Sequence, residues 1–107
     1  MRRVLRKSLF IITFSLLATT VSYAAGNVEA GKIKAETCLG CHGVPSYTNV
    51  YPSYHVPKLG GQHAEYIAAA LKSYQNGERS HRTMRAQAAG LSDEDMADIG
   101  AYFQSLQ

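Results

Sequence analysis

The 107-residue chain has only two cysteines and only three prolines. Its one uncharged, mostly apolar run, Ser8 to Ser22, is 15 residues long. Each shortage excludes something. Two thiols cannot build the multi-bridge framework that staples many small exported domains. Nor can they supply the four ligands of a structural zinc site. His55, His63 and His81 could add donors in number, but they form no second pair at zinc-binding spacing. Pro45, Pro52 and Pro57 all fall between residues 43 and 57, so irregular backbone is concentrated there. A run of 15 residues is shorter than the ~20 that a membrane-spanning helix requires. The excess of basic residues is also local. Arg2, Arg3, Arg6 and Lys7 account for it, and from residue 25 onward seven Lys and Arg face eight Asp and Glu. A near-neutral remainder gives no warrant for a nucleic-acid partner. There is no internal repeat and no low-complexity segment.

The N-terminal residues have the parts of a secretory signal. A positive segment, Met1 to Lys7, precedes the apolar run, and Ser22-Tyr23-Ala24 then places small residues at −3 and −1 of a cut before Ala25. No cysteine follows the run, which argues against an N-terminal lipid anchor. We therefore expect residues 1–24 to be a cleaved signal, residues 25–107 a single periplasmic domain, and no stable membrane insertion after cleavage; the alternative is that the short apolar run is kept as an uncleaved anchor. A domain of 83 residues buries little apolar surface and usually needs a staple or a prosthetic group.

Both cysteines fall in one motif, Cys38-Leu39-Gly40-Cys41-His42. Two thiols at this spacing can each add across a vinyl group of haem, and the imidazole that follows is placed to ligate the iron. Three plainer readings compete. A redox Cys-x-x-Cys pair should follow a strand in a βαβ unit, which is not visible here. A half zinc site lacks its other half, and a disulfide across so short a loop stabilises little. Covalent attachment of one haem c through Cys38 and Cys41 accounts for both thiols, and for how they survive an oxidising compartment.

The other segments read as helices around this motif. Asn27 can cap a helix that runs to the motif with Gly31 inside it. Residues 43–57 read as a loop in which Tyr47, Tyr51 and Tyr54 could lie over an apolar object. His63 to Gln75 forms a helix with Tyr66, Ile67, Ala70, Leu71 and Tyr74 on one stripe, closed by Asn76-Gly77. Lys72 and Glu65 lie off that stripe and read as solvated. A polar stretch, residues 78–85, contains the single apolar side chain Met84, and a helical turn at Ala86, Ala88 and Ala89 follows it. Ser92-Asp93-Glu94-Asp95 has the form of a capping box, ahead of a helix with Met96, Ile99, Phe103 and Leu106 on its apolar face. Gly31 and Gly100, each inside a terminal helix, suggest that these two helices cross closely.

The opposite face of the iron decides the chemistry. Met84, Met96, His55, His63, His81 and an open position are the candidates. Met96 repeats with Ile99 and Phe103 and belongs to the core. The three histidines are most simply solvent-facing. Met84, off any long stripe and presented between helices, fits best. A thioether opposite imidazole favours the ferrous state and leaves no room for substrate, which separates a carrier from a catalyst.

These residues carry a family likeness. The chain resembles the small bacterial class I cytochromes c, in particular one half of the dihaem periplasmic cytochromes and their single-haem relatives. The likeness implies an all-α fold of three to five short helices around one covalent haem, with His42 and Met84 on the iron. Pro57-Lys58-Leu59-Gly60-Gly61-Gln62 resembles the family's Pro-x-Leu-x-Gly-Gln segment, which implies that the Pro57 carbonyl accepts the Nδ1 proton of His42. Gly77-Glu78-Arg79 resembles the Gly-x-Arg that precedes the ligand methionine, and it assigns Arg79 to the cofactor. Leu91 to Phe103 resembles the terminal helix that crosses the first at the position of Gly31. The segment after the attachment motif departs from the pattern, with Val44-Pro45-Ser46-Tyr47 and extra residues before Pro57. The expected function is one-electron transfer between redox partner proteins by a monomer. Arg79, Arg82 and Arg85 would form a docking rim or hold a propionate. The alternatives are a haem enzyme or gas-binding protein with an open sixth site, and a cytochrome subunit of a dehydrogenase or oxidase.

Overall fold

The computed structural model describes residues 25–106. The expected signal, residues 1–24, lies outside them. Five helices, α1 (Val28–Lys34), α2 (Glu36–His42), α3 (Ala64–Asn76), α4 (Arg82–Ala88) and α5 (Asp93–Ser105), are joined by one hairpin, β1 (Thr48–Val50) and β2 (Ser53–His55). None of these helices is long and apolar enough to cross a membrane.

The caps follow from residue chemistry. The Asn27 side chain accepts the Ala30 N–H at 2.9 Å and opens α1. Ser92 and Asp95 cap α5 reciprocally, Asp95 N–H to Ser92 Oγ at 3.1 Å and Ser92 N–H to Asp95 Oδ2 at 2.9 Å. Gly77 ends α3 at φ +86°, a conformation that costs a side chain but not glycine. The expected first helix is not continuous. It breaks at Ala35, which is fully buried against the core, and α2 restarts from there with the attachment motif.

The core is formed by α3 and α5, with Ile67, Ala68 and Leu71 packed on Met96, Ile99 and Phe103, and by Ala35 and Ala88. Met96 is a core side chain, as its spacing indicates. The terminal helices do cross closely: a Cβ on Gly31 would overlap the Asp98 carbonyl of α5. Gly100 serves a different contact, since its added Cβ would lie 2.5 Å from the Ala64 carbonyl at the start of α3. The two glycines therefore mark two crossings of α5, not one shared crossing.

The crossing of α1 and α5 is also held by a buried carboxylate. Asp98, 3% exposed, accepts the Asn27 N–H at 2.6 Å through Oδ1 and the Lys34 ammonium at 2.6 Å through Oδ2. Lys34 also pairs with Asp95 at 2.8 Å. The hydrogen bond from Lys34, and then that from Asn27, hold the Asp98 carboxyl below the usual carboxylate range.

The segment expected as plain loop contains the hairpin. Its register pairs Thr48 with His55, Asn49 with Tyr54 and Val50 with Ser53, around a turn at Tyr51-Pro52 whose peptide is cis. Side chains alternate across it, so Asn49 and Tyr54 are half-buried while their neighbours are exposed. The fold is mostly helical, but this small sheet is an addition to the all-α expectation.

Candidate haem site

Cys38, Cys41 and His42 occupy positions i, i+3 and i+4 of α2, which puts all three on one helical face. They line one wall of a mostly apolar, partly open cleft. Leu71 of α3 and Ile99 of α5 form its apolar floor, with Val56, Leu91 and Met84 around them. Because a helix and not a strand precedes the cysteines, the thioredoxin-like reading loses its structural context. Both thiols are free and half-buried, and burial pushes the Cys38 thiol up.

His42 is oriented from behind. Its Nδ1 lies 2.7 Å from the Pro57 carbonyl, which fixes the proton there and leaves Nε2 as the nitrogen with a free lone pair. Met84 lines the same cleft. It is not carried on a loop between helices, as its polar neighbours suggested, but on the first turn of α4. The polar stretch hid this helix because its inward side is carried by only the half-buried Met84 and the small, buried Ala88.

A wider lobe continues past His42 and Met84 along Pro57, Leu59, Tyr66 and Tyr74. Arg79 stands on its wall, with its guanidinium 4.8 Å from the centre of the Tyr74 ring. Arg82 and Arg85 are exposed on α4 nearby.

The histidines divide. His55 and His63 are exposed, whereas His81 is not simply solvent-facing. Its ring is half-buried between Tyr54, centroids 4.7 Å apart, and Tyr74, 6.3 Å apart. Among the loop tyrosines Tyr54 lines the cleft, whereas Tyr51 is 96% exposed and Tyr47 turns its hydroxyl toward Asn49 at 3.5 Å. Nothing in the sequence flagged Lys34, Thr83 or Gln87, which complete the cleft wall; their only signal is proximity to the motif and to Met84.

A flat, largely apolar group with two vinyl substituents and a metal centre fits this donor set. The site offers two free thiols and an oriented imidazole on one face, a thioether in the same cleft, and an apolar floor. These features define a covalent haem protein of the c type, and the comparisons with known proteins agree. The family model described as Cytochrome c matches residues 28–107, and the chain belongs to that family, as a class I member. It carries one haem c, bound covalently through Cys38 and Cys41.

Among particular relatives, the chain is 36% identical over 101 residues to cytochrome c4 of Pseudomonas aeruginosa, covering 94% of this chain and 49% of that protein. It is 43% identical over 86 residues to cytochrome c-554(548) of Halomonas halodenitrificans, covering 78% of this chain and all of that one. The crystal structure of reduced recombinant cytochrome c4 from Pseudomonas stutzeri superposes with a TM-score of 0.59 at 29% identity, over 78% of this chain and 53% of that chain. The chain thus spans about half the length of the cytochrome c4 proteins it matches.

Proposed function

We propose that this chain is a periplasmic one-electron carrier in which His42 and Met84 would ligate the haem iron. The observation that carries the reading is the pairing of an imidazole whose Nδ1 is committed to the Pro57 carbonyl with a thioether lining the same cleft. Haem, when bound, supplies a reversible one-electron couple at the iron.

The rest is done by the chain. The Pro57 carbonyl orients the His42 ring and raises its basicity toward the metal. The Met84 thioether favours the ferrous state and raises the reduction potential. With His42 and Met84 both committed to the metal, no position would be left for substrate, and the site would pass electrons without exchange of atoms. Arg79, stacked on Tyr74, is placed to meet a propionate at the wall of the wider lobe. Arg82 and Arg85 add positive charge beside Met84, which suits redox partners with an acidic docking face. A leader ending at Ala24 would deliver the domain to the periplasm, where it would work as a soluble monomer.

The test is the absorption spectrum of the ferric protein. Thioether ligation gives a weak band toward the red end of the visible range. We expect that band in the wild type and its loss in Met84→Ala, whose reduced form should then bind carbon monoxide readily. Persistence of the band in Met84→Ala would reassign the ligand. Its absence from the wild type, with ready carbon monoxide binding, would favour a catalytic or gas-binding role.

A further inference from the structure

Met84 lies on a short helix whose first turn is held in place from outside. His81 caps α4 in an unusual way: its ring Nδ1, not a hydroxyl or carboxylate, accepts the Met84 N–H, at 3.3 Å. The ring is fixed in turn by Tyr54, which meets it edge to face with an interplanar angle of 83°, and by Tyr74, whose ring centre lies 6.3 Å away. The Tyr54 hydroxyl also reaches Thr83 Oγ1 at 3.3 Å. Both the residue that caps Met84 and the residue that precedes it are therefore tied to one side chain of β2. Tyr54 is itself placed by the hairpin register opposite Asn49, whose amide donates to the Pro52 carbonyl at 2.7 Å.

We propose that Tyr54 and His81 are positioning residues for the sixth ligand, and that the hairpin acts through them as a latch that keeps the Met84 thioether on the iron. The inference rests on Met84 being that ligand. A seven-residue helix has little cooperativity of its own, so its first turn depends on such outside contacts. Loosening them lets the thioether leave more often and opens the site to small external ligands.

Imidazole is a suitable probe, because it competes with the thioether for the ferric iron of the haem-loaded protein. We expect its apparent affinity to rise about tenfold in Tyr54→Ala and in His81→Ala, equivalent to about 1.4 kcal/mol. Tyr54→Phe, which keeps the ring and loses the hydroxyl, should give a smaller rise, about threefold. His81→Asn restores a good cap without the stacked ring and should fall between His81→Ala and wild type. Tyr51→Ala, at the exposed tip of the same hairpin, should match wild type. In all these variants the ferric thioether band should remain without imidazole, which separates this test from the ligand assignment: a wild type lacking the band fails that assignment instead. Imidazole affinity unchanged in both Tyr54→Ala and His81→Ala would overturn the proposal. So would a rise in Tyr51→Ala as large as that in Tyr54→Ala, since the effect would then belong to hairpin folding.

Discussion

Replacing Asp98 by Ala tests how the terminal helices are held. The carboxylate is buried and accepts two bonds at 2.6 Å, from the Asn27 N–H and from Lys34. Its loss removes the charge-assisted acceptor shared by the Asn27 N–H and the Lys34 ammonium. Hydrogen bonds to a charged group contribute roughly 1.5–3 kcal/mol, so we expect a loss of about 2 kcal/mol. For a domain of this size that lowers the melting temperature by roughly 8–16 °C. Lys34 and Asp95 are 30% and 29% exposed and can turn to water, so the loss is assigned to Asp98 alone. The pH dependence has a definite sign. Lys34, then Asn27, lower the Asp98 carboxyl below its ordinary range, and Lys34, then Ser92, lower Asp95 to about 2. A carboxylate lowered in the folded state stabilises above its ordinary pKa of about 4, and loses that contribution as the pH falls through the folded value. The gap between wild type and Asp98→Ala should therefore be full near pH 7 and shrink as the pH falls below the ordinary carboxylate range. Lys34 is raised above 10.5, so its share persists below that value and is lost only in stronger alkali. Thermal unfolding of the haem-loaded protein, followed by far-ultraviolet circular dichroism across this range, is the assay. A shift under about 2 °C at pH 7, or a gap that widens in acid, would refute the reasoning.

Other outcomes are expected for the helix crossings and for the charged surface. Gly31→Ala should destabilise by about 1–3 kcal/mol, because its methyl would overlap the Asp98 carbonyl and lie 2.9 Å from Tyr102 Cβ. Gly40→Ala, with nothing within 4 Å, should be neutral or stabilise by up to about 1 kcal/mol; urea midpoints compare the two. Arg82→Ala and Arg85→Ala should slow electron transfer to an acidic partner and flatten its dependence on ionic strength, measured by stopped flow. Unchanged rates and slope would remove the docking role.

What could be read in the sequence was local chemistry. The attachment motif, the Ser92 capping box, the Gly77 terminator and the Met96, Ile99, Phe103 stripe each depend on neighbours within a few residues, and each lies where its spacing indicated. The features that escaped depend on distant partners. Asp98 reads as one more acid on a polar face, because its partners Lys34 and Asn27 are 64 and 71 residues away. The hairpin escaped because strands of three residues carry almost no alternation and Pro52 argues against pairing. The full extent of α4 was hidden by a histidine cap, a residue type outside the usual capping set, and by a face that needs only one large apolar side chain. His81 was read as solvated because its neighbours in sequence are charged, whereas its neighbours in space are two tyrosines.

The account depends most directly on a covalent bond between the chain and its haem. Intact mass, together with a pyridine haemochrome spectrum of the exported protein, measures that bond. We expect one haem per chain, retained through acid extraction, with a c-type spectrum, and its covalent retention abolished in a Cys38→Ala, Cys41→Ala double variant. A colourless wild-type protein with the mass of bare polypeptide would contradict the account.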